Sequence, residues 1–256
     1  MSSGELDETF AADRLDRTTW LPCYLPHWSS RADSAATYEL RDHELHLTIP
    51  PAQAEWCAGR HDPPLRVSAI QTAGGSGPVG STEGAQSFRP GLTVREAQPP
   101  FRGFTARYGD IEIRMRGVIG PRSMVAFWLS GLEEEPWQSG EICVAEIFGA
   151  TVRDGFAEVG LGIKPFQDPT LREAFAVERV ELDVSEFHTY AIDWRPGSLR
   201  FLIDGGEVRR LDQAPDYPLQ LELGVFDFTA TPAGDRDPAV PALIVSRIRA
   251  HSPATG

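Results

Sequence analysis

An all-β sandwich is the fold class that this sequence predicts, on three observations. Apolar and polar residues alternate with period two along much of the chain, most cleanly in Ile111-Glu112-Ile113-Arg114-Met115-Arg116, as in strands with one buried face. The 24 glycines and 21 prolines are evenly scattered, which interrupts helices and punctuates short strands. No run of helical period exceeds about three turns, so an α/β arrangement is disfavoured.

The elements follow in order. Residues 1–31 are rich in Asp, Glu, Arg and Thr, and about the first 35 residues read as a loose N-terminal arm. Strands are expected at 44–49, 66–71, 109–116, 124–129 and 141–147, and again at 158–163, 187–194, 199–203, 219–226 and 243–249. Trp194-Arg195-Pro196-Gly197-Ser198-Leu199 reads as a turn between two strands, and Asp204-Gly205-Gly206 as a second, Asp-Gly being a strong hairpin signal. The Gly- and Ser-rich stretch 72–91 and the stretch 230–242 read as long surface loops, which often shape a binding cleft.

With 256 residues, 41% of them hydrophobic and 24% charged, the chain can bury a sizeable core. It shows no linker and no internal repeat, so one domain over 1–256 is expected. The formal net charge of -13 would be repelled by nucleic acid and by anionic membranes, and suits a neutral ligand such as a sugar. Cys23, Cys57 and Cys143 are odd in number and irregularly spaced, neither a disulfide framework nor a zinc site, so free thiols are expected. No secretory apolar segment and no stretch long enough to cross a bilayer is visible. The expectation is a cytoplasmic monomer without cofactor or metal.

The most informative segment is Ser139-Gly140-Glu141-Ile142-Cys143-Val144-Ala145-Glu146. Burying unpaired carboxylates in an apolar strand is costly, so two glutamates there suggest the wall of a polar cleft. Alternation puts 141 and 143 on one face and 146 on the other. A β-bulge around Val144-Ala145 would return Glu146 to the face of Glu141. Two acids on one cleft are the equipment of a glycosidase. The plainer alternative leaves one glutamate facing solvent on a half-exposed strand.

Four segments together resemble glycoside hydrolase family 16, the group of laminarinases and lichenases. Tyr108-Gly109-Asp110-Ile111-Glu112-Ile113-Arg114 is similar to a Tyr-Gly-Arg-Phe-Glu-Ala-Arg strand, and Ala126-Phe127-Trp128-Leu129 matches an Ala-Phe-Trp-Leu strand. Glu141 to Glu146 is similar to Glu-x-Asp-x-x-Glu. Phe187 to Trp194, followed by Phe201 to Gly205, resembles Phe-His-x-Tyr-x-x-x-Trp…Phe-x-x-Asp-Gly. The matches occur in family order over about 38–249. The resemblance implies a concanavalin A-like jelly roll of two curved antiparallel sheets and retaining hydrolysis of a β-glucan-type oligo- or polysaccharide. A catalytically weakened, lectin-like sugar binder on the same scaffold is the alternative. By matching, Glu141 takes the nucleophile position and Glu146 that of the acid/base.

One departure concerns Cys143, which stands where the family motif has Asp. A thiol stays neutral at pH 7, so the pair lacks a negative neighbour; packing as a small apolar residue is the other reading of Cys143. Trp137, four residues before Glu141, is a candidate sugar-stacking platform. Trp128 is a weaker one, since it lies in an apolar strand. Glu222 in Leu221-Glu222-Leu223 sits where the family has a groove-facing Asn, and is either a third carboxylate near the sugar or an ordinary exposed glutamate. Trp194 and His188 read as core and turn residues. Ser246 takes the approximate place of an Asp near a structural calcium, which argues against a bound metal.

Overall fold

The computed structural model describes residues 4–252. Its strands, in chain order, are β1 (Glu5–Glu8), β2 (Thr37–Arg41), β3 (Glu44–Thr48), β4 (Leu65–Gln71), β5 (Ala73–Gly74), β6 (Phe101–Arg102), β7 (Gly109–Val118) and β8 (Ser123–Gly131). There follow β9 (Glu141–Phe148), β10 (Ala157–Lys164), β11 (Ala176–Val180), β12 (His188–Arg195), β13 (Ser198–Ile203), β14 (Gly206–Leu211), β15 (Leu219–Phe228) and β16 (Ala242–His251). Among the described residues the single helical piece is a 3-10 turn, Gly149–Thr151. The protein is an antiparallel β-sandwich of the jelly-roll type, as expected.

One sheet runs β14-β13-β12-β7-β16-β3-β2, with β1 added on β16; the other runs β11-β10-β9-β8-β15-β4. Alternate residues of each strand meet between the sheets. Ile111, Ile113 and Met115 of β7 face Val125, Phe127 and Leu129 of β8 and Leu221, Leu223 and Val225 of β15 in one buried cluster. The intervening residues of the six-stranded sheet point outward, and that outer face carries the site. Both expected turns form. Pro196-Gly197 joins β12 to β13 with Gly197 at φ 70. Asp204 and Gly205, at φ 49 and 79, join β13 to β14, the doubly left-handed geometry that Asp-Gly favours. His188 holds that hairpin through Nδ1 to Asp204 Oδ2 at 2.6 Å, and Trp194 is fully buried.

The N-terminal segment corrects the expectation of a loose arm. Phe10, Leu15, Trp20, Leu25 and Trp28 are all buried, and β1 pairs with β16. Its charged residues had masked these spaced apolar anchors, each worth about 2–3 kcal/mol of burial. Leu25 and Trp28 join Trp56, Cys57, Leu92 and Val94 over the outer face of the six-stranded sheet, against Met124, Ala126, Trp128 and Phe226. This second cluster roofs one side of the face. Cys23, Cys57 and Cys143 are free and buried.

Candidate active site

Strand β9 is pinned at its entrance. Gly140 donates its N–H to the Tyr217 hydroxyl at 2.7 Å, and a Cβ at Gly140 would lie 2.5 Å from that oxygen. Only glycine fits the approach. Tyr217 donates its own O–H to Asp168 Oδ2 at 2.7 Å, and Ser139 Oγ donates to Pro165 O and accepts Gln167 N–H. Glu141 therefore enters the sheet at a fixed height.

The bulge forms where the spacing required it. Phe127 pairs with Ala145 and Trp128 with Cys143, so Val144 is the extra residue. Val144 and Ala145 both face the core, and Glu146 returns to the outer face beside Glu141 and Cys143. One ligand atom from each of the three lies within 4.8 Å of the others. Cys143 Sγ is 2.9 Å from Glu141 Oε1 and 3.5 Å from Glu146 Oε1. Such a trio could hold a cation by spacing, but the positive charge there is supplied by the chain itself. Lys164 Nζ lies 2.6 Å from Glu146 Oε1 and 3.2 Å from Glu141 Oε1.

Strand β10 makes that contact possible. Gly160 stands opposite Glu146 and Gly162 opposite Cys143, so no β10 side chain intervenes on this face. Gly162 sits at φ 134, where a Cβ would strike Ala174 O at 2.2 Å. Lys164, opposite Glu141, packs its ammonium 4.7 Å from the Phe175 ring centroid.

Burial sets the electrostatics. It raises Glu141 above the ordinary carboxylate range, against the pull of Lys164. It also drives the Cys143 thiol well up, helped by the two acids, so the thiol is neutral. For Lys164 burial acts downward but is outweighed by Glu141, Cys143 and Glu146, and the ammonium is held more firmly than usual.

Neither Trp128 nor Glu222 is open to a sugar. Trp128 is 5% exposed, packed on Tyr24 and Phe226 beneath the roof. Glu222 is on the same outer face, opposite Trp128, but 1% exposed. The reading of it as an exposed glutamate is excluded, and direct sugar contact is closed off by Gln86, whose amide donates to Glu222 Oε1 at 2.5 Å and to Ser130 Oγ at 2.9 Å. Ser130 also donates to Glu222, and Gln220 adds a bond at 3.2 Å. Glu222 Oε2 is buried without a partner. Desolvation lifts this acid to about 8, so it is neutral at pH 7. Trp137 remains 43% exposed, with its ring edge-on to Tyr217 at 5.6 Å. At Ser246, Arg114 donates to Oγ at 3.0 Å, which puts a cation of the protein at that place.

Sequence reasoning missed four groups. Gln86 and Glu133, joined by a 2.6 Å bond from Gln86 N–H, come from loops whose path the sequence does not reveal. Phe148 follows Glu146 on the same face, 41% exposed and stacked on Phe228; strand alternation could have found it. Lys164 left a plainer signal, since it is the only lysine in the chain, against 23 arginines. Beyond Ser130 the face opens into a cleft of about 640 Å³, floored by Gln71 and Gln220 and flanked by Glu133, Glu134 and the 82–92 loop.

The sequence model of Glycosyl hydrolases family 16 matches residues 102–235, just over half of the chain. No curated protein matches the sequence. Among solved structures, a GlcNAcα1-4Gal releasing endo-β-galactosidase from Clostridium perfringens superposes with a TM-score of 0.80 at 23% identity, covering 100% of this chain and 65% of its own. An endo-1,3-β-glucanase (laminarinase) catalytic domain from Thermotoga petrophila gives 0.65 at 16% identity, covering 98% and 97%. A β-1,3-1,4-glucanase (lichenase) from a mouse hindgut metagenome gives 0.63 at 18%, covering 96% and 98%. At these identities the likeness is one of fold.

Proposed function

Since the chain belongs to the glycosyl hydrolases of family 16, we propose that it is a retaining glycosidase acting on a β-glucan-type saccharide, with Glu141 as nucleophile and Glu146 as acid/base. The observation that carries this reading is the Val144 bulge, which brings both carboxylates onto one face within 4.8 Å. Retaining enzymes need a short spacing, about 5–5.5 Å between carboxyl groups, whereas inverting ones leave room for a water at about 6.5–9.5 Å. Glu141 attacks the anomeric carbon while Glu146 protonates the departing oxygen. Glu146 then takes a proton from the water that opens the glycosyl-enzyme ester.

A saccharide spans the pair and extends past Ser130 into the cleft, which Glu133, Glu134 and the 82–92 loop flank. Trp137 and Phe148 offer apolar ring faces at the two ends of β9. A neutral saccharide fits the net charge of -13. A second reading, a β-galactoside bond, draws support from the endo-β-galactosidase, whose overlap takes in the whole chain at a TM-score of 0.80. Assays of reducing-end release from laminarin, lichenan, agarose and galacto-oligosaccharides test both. Turnover of a β-glucan, abolished in Glu141→Gln, supports the first reading, and turnover confined to galactosides the second. Oligosaccharide binding without turnover would replace both with a lectin-like role.

A further inference from the structure

The only lysine of the protein stands between its two candidate catalytic acids. Among the described residues no other cation pairs with them: Lys164 Nζ makes ion pairs of 2.6 Å with Glu146 and 3.2 Å with Glu141, and its side chain is only 27% exposed. Partly buried pairs of this kind are screened far less than surface ones. Two features fix the ammonium in place. Gly160 and Gly162 clear β10 of side chains opposite Glu146 and Cys143, and the Phe175 ring lies 4.7 Å from Nζ.

We propose that Lys164 is a positioning residue whose ammonium, paired with both acids, holds Glu141 and Glu146 in their working orientation and sets the pH window in which the pair works. The proposal rests on the reading of these two acids as the catalytic pair. The charges around them come from three elements and the chain that covers them. Glu141, Cys143 and Glu146 lie on β9, Lys164 on β10 and Glu222 on β15, with the Tyr24 hydroxyl above. Cys143, Glu222 and Tyr24 are neutral at pH 7 because burial raises each of them. In the working state Glu141 is the carboxylate and Glu146 carries the proton it will donate, so the ammonium balances one negative charge. Without Lys164 that charge would stand unbalanced beside a second acid, and two acids at this spacing hold a shared proton more tightly.

The mechanistic consequence is directional. In the first step Glu146 must give up a proton, and a neighbouring ammonium favours the carboxylate that this leaves behind. In the glycosyl-enzyme Glu141 is an ester and uncharged, so Lys164 has Glu146 as its one remaining ionic partner while that group acts as base. Removing the cation disfavours ionisation throughout, so both limbs of a bell-shaped pH–rate profile move to higher pH. An opposite charge within ~4–6 Å shifts ionisation by about 1–3 pH units.

Two measurements test this. Lys164→Met should move the kcat/KM profile of the active substrate to higher pH by roughly 1–2 units, with Lys164→Arg recovering most of the wild-type position. A merely structural lysine would lower the rate at every pH and leave the limbs in place, which would overturn the proposal. The second needs no turnover: in protein labelled with 15N-lysine, the chain's single side-chain ammonium gives one resonance. It should keep its proton above the ordinary lysine range of about 10.4, and lose that hold in Glu146→Gln. A resonance titrating at or below the ordinary value would refute the ion pairing even if the protein proves inactive. A firmly held ammonium in an inactive protein would instead leave the pairing standing and count against the glycosidase reading.

Discussion

Replacing Glu222 by Gln isolates the cost of an acid buried behind the site. In the native protein its Oε1 accepts bonds from Ser130, Gln86 and Gln220, its Oε2 has no partner, and desolvation lifts it from 4.5 to about 8. Below about pH 4.5 the folded and unfolded chains both carry the proton, and the group adds no pH dependence. Between 4.5 and 8 the unfolded chain releases the proton while the folded chain keeps it, so stability falls as pH rises and levels off above about 8. At about 1.4 kcal/mol per pH unit the whole interval corresponds to roughly 5 kcal/mol. Gln keeps the acceptor oxygen and cannot ionise. Glu222→Gln should therefore lie within about 1 kcal/mol of wild type at pH 5 and be a few kcal/mol more stable at pH 8.5. Urea midpoints at the two pH values, with unchanged slope, measure the difference. Glu133 and Glu141 are also raised by burial, which is why the comparison with the variant, not the wild-type slope alone, carries the test. A gap of equal size at both pH values would refute the assignment of a neutral, buried Glu222.

Three further outcomes are expected. His27 bonds through Nε2 to Ala85 O at 3.0 Å and is pulled by burial from 6.5 to about 4. Wild-type stability should thus fall as pH drops from about 6.5 through 4, and His27→Gln should flatten that decline in urea titrations. Trp137→Ala should raise KM roughly 2–10-fold, the worth of one aromatic contact of about 0.5–1.5 kcal/mol, with kcat and melting temperature nearly unchanged; an unaltered KM would remove Trp137 from the sugar path. Cys143→Asp places a carboxylate where a thiol lies 2.9 Å from Glu141, so the acidic limb of the pH–rate profile should move up, and a limb that stays put would show the position to be uncoupled.

The ten strands with buried apolar alternation were legible in the sequence to within a few residues, because half of each strand is held by the core. The strands that escaped, such as β1 (ELDE), β2 (TYELR), β11 (AVERV) and β14 (GEVRRL), lie on sheet edges or on β16 and carry charges on their exposed faces. Backbone pairing, not burial, fixes them, and pairing partners are not written locally. Strand β9 was readable for a stronger reason: Glu141 and Glu146 can share a face only if one residue is extra. What was not readable depended on distant segments. Trp128 and Glu222 have the alternation of groove residues, yet Tyr24 and Gln86, more than 40 positions away in sequence, cover them. Lys164 enters the site through the pairing of β10 with β9, which no local pattern announces.

The central claim is the division of labour between Glu141 and Glu146, and azide rescue tests it most directly. Glu146→Ala removes the proton donor but leaves the nucleophile, so a β-glycoside with a dinitrophenyl leaving group should still form the glycosyl-enzyme on Glu141. Added azide should then restore turnover and release a β-glycosyl azide, identified by its anomeric proton coupling. An α-configured azide from this variant, or full activity without azide, would contradict the account.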